Sequence, residues 1–322
     1  MFDVFFYEAF EEETAAIKRH LPKNLSAGFT WKTLQEQGDN EPPARIISLR
    51  TQSAIPESWA HSLSAVLARS TGYDHLLERR GFKDAGVALG YLPLYSNRAV
   101  AEQAMMMWMA LGRRLPRQQR RFGTFHRDGL TGIEFERKNL LVVGVGNIGY
   151  EVCRLGWGLG MTVRGVDIVH RRDDLDYTSI AEGLPSADVI VCAMNLTSEN
   201  IGYFNYDRLR SAKKGAIFVN IARGEESPSA DLLRLLEEGC LGGVGLDVYN
   251  RERELAVALR EGQRPDNAEC RATLALADRE DAILTPHNAF NTRESVERKA
   301  AQSVEQIAHF LTHNTFKWNV PA

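Results

Sequence analysis

The chain has 322 residues, 44% of them hydrophobic and 25% charged, with a formal net charge of −3. That length exceeds what one ordinary core accommodates, so two domains are expected. The near-neutral charge leaves no electrostatic footprint for nucleic acid or a membrane surface. Four cysteines, at 153, 192, 240 and 270, are scattered without ligand spacing, so neither a metal site nor a disulfide framework is expected.

The opening MFDVFFYEAFEEE turns acidic within eight residues and has no basic leader, and no apolar run approaches the roughly 18 residues of a membrane span. A cytoplasmic chain is the expectation. VFFY (4–7), RIISL (45–49), SAVLA (64–68) and AGVALGYL (85–92) read as strands, and EEETAAIKRHL (11–21) carries apolar residues at helical spacing. A long helix is predicted from Ala99, AVAEQAMMMWMALGRRL, whose Met and Trp stripe reads as core or subunit interface. The basic run GRRLPRQQRRFG (112–123) lacks the aromatics of a nucleic-acid module and reads as a solvated face or subunit contact.

After residue 137 the pattern becomes regular. NLLVVG (139–144), TVRGVD (162–167), ADVIVCAM (187–194), GAIFVN (215–220), GGVGLDV (242–248) and DAILT (281–285) are continuous apolar runs, as strands buried on both faces require. The intervening segments are long enough for crossover helices, such as SADLLRLLEEG (229–239). The tail, 293–311, predicts one amphipathic helix with Val296, Ala300, Val304, Ile307 and Leu311 on its apolar stripe. The pattern is α/β: a six-strand doubly wound parallel sheet over residues 100–291, and a smaller α/β domain of residues 1–99 completed by 292–322.

Within LLVVGVGNIGYEVCRL (140–155), Gly144, Gly146 and Gly149 stand in a G-x-G-x-x-G arrangement between a strand and a helix. Gly144 suits a tight turn, Gly146 a close approach of backbone to pyrophosphate, and Gly149 the packing of helix on strand. The helix start at Asn147 and Ile148 offers free N–H groups and a positive dipole end. Asp167 closes the next strand, 18 residues after Gly149, where a carboxylate accepts hydrogen bonds from an adenosine ribose and repels a 2′-phosphate. NAD is thereby favoured over NADP, with Arg171 and Arg172 close by.

An arginine, a glutamate and a histidine are predicted at the carboxyl ends of strands on the same edge, with Asp247 inside one of those strands. Arg223, preceded by Ala222, follows VNIA; Asp247 and Glu252 lie in GLDVYNRE; and His287 follows ILTP, on a turn constrained by Pro286.

With those residues in place, the chain resembles the D-isomer-specific 2-hydroxyacid dehydrogenases along nearly its whole length. ARSTGYDHL (68–76), YLPLYSNRAVAE (91–102), VGVGNIG, VNIARG, GVGLDVYNRE and TPHNAF carry the resemblance, and LPLYSNRAVAE and HNAF lean toward the D-lactate-dehydrogenase-like branch. It implies a Rossmann domain binding NAD, a flavodoxin-like substrate domain, and a homodimer. It further implies catalytic Arg223, Glu252 and His287, and a substrate carboxylate held at the backbone of Thr71, Gly72 and Tyr73. Tyr95 matches a substrate-pocket tyrosine, and Asp247 a residue near the nicotinamide carboxamide. The expected reaction interconverts a 2-keto acid and a D-2-hydroxy acid, pyruvate and D-lactate favoured. Glyoxylate or hydroxypyruvate reduction, and a non-catalytic dinucleotide-sensing role, are the alternatives. Departures are Glu226, Ser227 and Pro228 in place of an aliphatic–Val–Asp run, Asn250 where an acid is common, and a charged stretch over 254–281.

Overall fold

Parallel strands alternate with crossover helices throughout, and the chain divides into two units. The structure, a computed structural model, describes residues 2–77 and 80–321. One unit combines Met1–Ser96 with Asn291–Ala322; the other is Asn97–Phe290. The first boundary falls at the start of the long helix, Asn97–Gly112.

In the first unit β1 (Phe2–Phe6), β2 (Ala27–Phe29), β3 (Ala44–Leu49), β4 (Ala65–Ala68) and β5 (Ala88–Gly90) form a sheet in the order β2-β1-β3-β4-β5. Every adjacent pair is parallel, which gives the doubly wound order of flavodoxin-like folds. Strand β2 was not predicted, because three residues, Ala-Gly-Phe, carry no readable period. Helix Glu11–His20 packs on helix Arg293–His313, so the two ends of the chain build one core. Val296, Ala300, Val304 and Ile307 are buried there as expected from their spacing, but Leu311 is 48% exposed. Between these helices and the sheet lies a buried charge cluster. Glu13 Oε1 accepts from Arg69 Nε (2.9 Å) and forms an ion pair with Lys299 Nζ (2.7 Å), and all three side chains are fully buried.

The second unit holds β6 (Asn139–Val143), β7 (Thr162–Val166), β8 (Asp176–Tyr177), β9 (Val189–Cys192), β10 (Ala216–Asn220), β11 (Leu241–Leu246) and β12 (Ala282–Leu284). Their order is β12-β11-β10-β9-β6-β7-β8, again all parallel. The sheet therefore has seven strands, not six. The extra one, β8, is a two-residue edge strand without an apolar run. From β6 the chain winds outward to β8 and then returns to β9 on the other side, so the topological switch lies between β6 and β9. Val143, Ile190, Phe218, Val244 and Leu246 are among the buried side chains of its core.

Helix Asn97–Gly112 packs on β10 and β11, close enough that a Cβ on Gly245 would stand 3.0 Å from Met107 Cβ. That places Met107 and Trp108 in the core of this unit, whereas Met106 is 42% exposed. The charged stretch 254–281 is not an irregular insert. It contains most of helix Glu252–Arg260 and all of helix Ala268–Ala277. No helix among the described residues is long and apolar enough to cross a membrane.

Candidate active site

At the switch point the end of β6 runs into the glycine turn. Gly144 has φ +89°, and a Cβ there would meet the backbone of Ala193 and Met194, just past β9, at 2.6 Å. A Cβ on Gly149 would stand 1.9 Å from Gly144 O, so only glycine lets helix Asn147–Gly158 sit this close to the turn. Gly146 is different: nothing lies within 4 Å of its Cβ position. It faces open space, as the N-cap of a helix that no side chain caps. The open glycine, the bare helix N-terminus and its dipole suit a pyrophosphate. Asp167 braces the turn, its Oδ2 accepting from Val145 N–H (2.6 Å) and its Oδ1 from Val169 N–H (3.0 Å). Beside it Ile168 is 99% exposed. Arg172 lies over the Tyr150 ring at 4.2 Å, and Tyr150 Oη donates to Asp174 Oδ2 (2.6 Å). The residues present fit an adenine dinucleotide.

Two strands along, β10 delivers Arg223. Asn220, the last residue of the strand, is fully buried, and its amide fixes the turn: Nδ2 donates to Arg223 O (2.8 Å) and Ser227 Oγ (2.7 Å), while Oδ1 accepts from Ala222 N–H (2.9 Å). Gly224 is pressed on the next loop so closely that a Cβ would meet Tyr249 C at 1.8 Å. The guanidinium is anchored by Arg223 Nη1 donating to Ala222 O (2.8 Å).

His287 emerges after β12 with φ +51°, a left-handed conformation that non-glycine residues adopt only when their surroundings enforce it. The enforcement comes from β11 and the loop after it. Buried Asp247 takes the Thr285 hydroxyl (2.5 Å) and Asn288 N–H (2.8 Å) on Oδ1, and Ala289 N–H (2.9 Å) on Oδ2. Tyr249 Oη donates to Thr285 O (2.6 Å), and Gln103 Nε2 donates to Thr285 Oγ1 (3.2 Å). Burial pushes the Asp247 carboxyl above its ordinary value, against the pull of His287 and the hydrogen bonds from Thr285, Ala289 and Asn288. The resemblance had set Asp247 beside the nicotinamide; here both its oxygens are engaged by the His287 turn. Helix Glu252–Arg260 begins at Glu252, whose Oε1 lies 2.7 Å from His287 Nδ1. Tyr249, Thr285 and Gln103 were not singled out from the sequence, since contacts between residues 36 or more apart leave no local spacing.

Arg223, Asp247, Glu252, His287 and the glycine turn thus belong to one unit; Thr71, Gly72, Tyr73 and Tyr95 belong to the other. There, Thr71 Oγ1 donates to Leu92 O (3.3 Å), Ser70 Oγ donates to Gly72 O (2.7 Å), and the Tyr73 and Tyr91 rings pack edge-on at 4.8 Å. No described residue accepts the Thr71, Gly72 or Tyr73 N–H, as an anion-holding turn requires. Tyr95 is buried, with Lys299 Nζ 5.6 Å from its ring centroid and Arg298 Nε donating to its carbonyl (2.9 Å).

Residues 105–289 match the family described as "D-isomer specific 2-hydroxyacid dehydrogenase, NAD binding domain". The chain is 29% identical over 309 residues to a D-lactate dehydrogenase of Streptococcus agalactiae serotype V, covering 92% of this chain and 91% of that one. It is 27% identical over 265 residues to the D-lactate dehydrogenase of Escherichia coli K12, covering 80% and 79%. Among solved structures, the D-lactate dehydrogenase of Aquifex aeolicus complexed with NAD and lactic acid superposes with a TM-score of 0.86 at 29% identity, covering 99% of this chain and 100% of that one.

Proposed function

Since the chain belongs to the D-isomer specific 2-hydroxyacid dehydrogenase family, we propose that pyruvate and D-lactate, or acids close to them, are its substrate pair. The activity is the NAD-dependent interconversion of a 2-keto acid and a D-2-hydroxy acid. The observation that carries the assignment of roles is the His287–Glu252 hydrogen bond, on a turn clamped by Asp247 and Tyr249.

NADH, when bound, supplies the hydride. With Glu252 accepting from Nδ1–H, His287 directs Nε2 away from that bond and delivers the proton to the forming alkoxide from there. The Glu252 carboxylate stabilises the imidazolium and fixes which ring nitrogen is used. Arg223 grips the substrate carboxylate and the carbonyl oxygen, because a planar guanidinium presents paired donors in fixed geometry. The family resemblance assigns substrate binding in the first unit to the backbone N–H groups at Thr71, Gly72 and Tyr73 and to Tyr95. Asp167 takes the ribose hydroxyls. A cytoplasmic homodimer belongs to the same reading, resting on the family resemblance.

A panel of 2-keto acids with NADH tests this. Pyruvate should give the highest kcat/KM and D-lactate, not L-lactate, should be the product. A preference for glyoxylate or hydroxypyruvate would replace the substrate, and no turnover with any keto acid would leave a dinucleotide-binding protein.

A further inference from the structure

Behind Arg223, on the turn that departs from the family pattern, a carboxylate is buried without obvious need. Glu226 ends the turn Gly224–Glu226 and folds back with its side chain fully excluded from solvent. Its Oε2 accepts from Arg223 N–H (3.2 Å) and from the Cys192 thiol at the end of β9 (3.2 Å); its Oε1 accepts from Asn200 Nδ2 (3.1 Å). The charged or titratable groups facing it are Arg223 and Glu225 on its own turn and Cys192 on β9. Burial pushes the Glu226 carboxyl up to about 7, against the pull of Cys192 and Arg223. The Cys192 thiol, itself pushed well above its ordinary value by burial, stays protonated and donates. The contacts Glu226 Oε2 to Arg223 N, and Ala222 O to Arg223 Nη1, hold guanidinium and carboxylate within about 8 Å of each other by standard bond lengths.

A purely structural role is a weak account. The Arg223 turn is already secured by Asn220 and by the packing of Gly224, and an apolar side chain would fill the same space without a buried charge. We propose that Glu226 makes keto-acid binding proton-linked: its ionised carboxylate offsets part of the Arg223 charge, and an anionic substrate on Arg223 draws a proton onto Glu226. The inference rests on Arg223 holding the substrate carboxylate. Its sign follows from electrostatics, because a second negative charge near Glu226 raises its proton affinity, and linkage makes the effect reciprocal. Substrate affinity therefore falls as pH rises through about 7, beyond whatever His287 contributes.

The test uses the enzyme–NADH complex and oxamate, an unreactive isostere of pyruvate. Glu226→Gln removes the charge at nearly constant shape, and Glu226→Leu provides a second, apolar replacement. Both should bind oxamate as the wild type does at pH 6 and about three- to tenfold more tightly than it does at pH 8. Calorimetry at pH 7 in two buffers of different ionisation enthalpy should find less proton uptake on oxamate binding in both variants, and Glu226→Asp should restore part of it. Unchanged affinity at pH 8, or weaker binding there, would reduce Glu226 to a structural residue. Arg223→Lys at pH 6 separates the premise from the inference: retained oxamate affinity overturns both, whereas lost affinity with unshifted Glu226 variants overturns the inference alone.

Discussion

His287 Nδ1 stands 2.7 Å from Glu252 Oε1, and the two side chains are only 20% and 18% exposed. At that distance and burial the pair acts as one unit, with Glu252 working through the ring and not on substrate. His287→Ala should lower kcat for keto-acid reduction by about 10² to 10⁴, with NADH binding little changed. Glu252→Gln should cost less, and adding it to His287→Ala should cost almost nothing more, since the ring it serves is gone. Steady-state kinetics of the four proteins of the cycle, with NADH fluorescence titrations, measure this. Additive losses would mean that Glu252 acts independently of His287.

Arg223→Lys keeps the charge but loses the paired donors. The expected outcome is a keto-acid KM raised by roughly 10 to 100-fold together with a reduced kcat, while the NADH dissociation constant stays within about twofold. Near-wild-type kinetics would demote Arg223 to a structural residue.

Cofactor choice should turn on Asp167. Asp167→Ala removes the charge that repels a 2′-phosphate, so the NADPH/NADH ratio of kcat/KM should rise about tenfold or more. NADH binding should weaken as well, because the same carboxylate braces Val145 and Val169 in the glycine turn. A wild-type enzyme that already uses both cofactors equally would refute the assignment.

The buried cluster of the first unit makes a stability prediction. Burial pushes the Glu13 carboxyl up, but Arg69 and Lys299 pull it down to about 2; burial lowers Lys299 to about 7 against the pull of Glu13. Glu13→Gln leaves the buried Arg69 guanidinium without its carboxylate and should destabilise the protein by about 3–5 kcal/mol, whereas Lys299→Met should be near neutral. Glu13 binds fewer protons folded than unfolded, so its contribution is present above its ordinary value near 4.5 and lost as pH falls toward about 2. Lys299 also holds its proton less tightly folded than unfolded, so stability should rise with pH from about 7 toward its ordinary value near 10.5, and Lys299→Met should abolish that rise. Urea denaturation at pH 7 and 9.5 checks this: a Lys299→Met protein whose stability rises with pH as steeply as the wild type would contradict the scheme.

Much of the architecture was legible in the sequence because parallel strands buried on both faces announce themselves as apolar runs, and because the glycines at 144 and 149 answer steric demands that no other residue meets. What escaped was structure without an apolar period. Strand β8 is two residues on an edge, and helix Glu252–Arg260 buries only Leu255 as a hydrophobic residue, so a charged surface hid it. The clamp on the His287 turn escaped for another reason. Asp247, Tyr249 and Gln103 meet Thr285 only after β11, β12 and the long helix have packed, and their spacing along the chain encodes none of it. Glu226 was visible only as a departure from pattern; its partners Cys192 and Asn200 lie 34 and 26 residues away.

The joining of both chain ends in one unit has a consequence for biosynthesis. During translation residues 97–290 are complete before any of 291–321 exists, so the dinucleotide-binding unit can fold first while Glu13 and Arg69 wait for Lys299. Until then the apolar face of helix Glu11–His20, with Ala16 and Ile17, lacks the helix that covers it. This interval is when the nascent chain is most exposed to chaperones and to aggregation. In ribosome-bound chains arrested before residue 291 but with 97–290 free of the ribosome, protease should spare that segment and cut within 2–96. Equal protection of the two would mean that the first unit closes without its last helix.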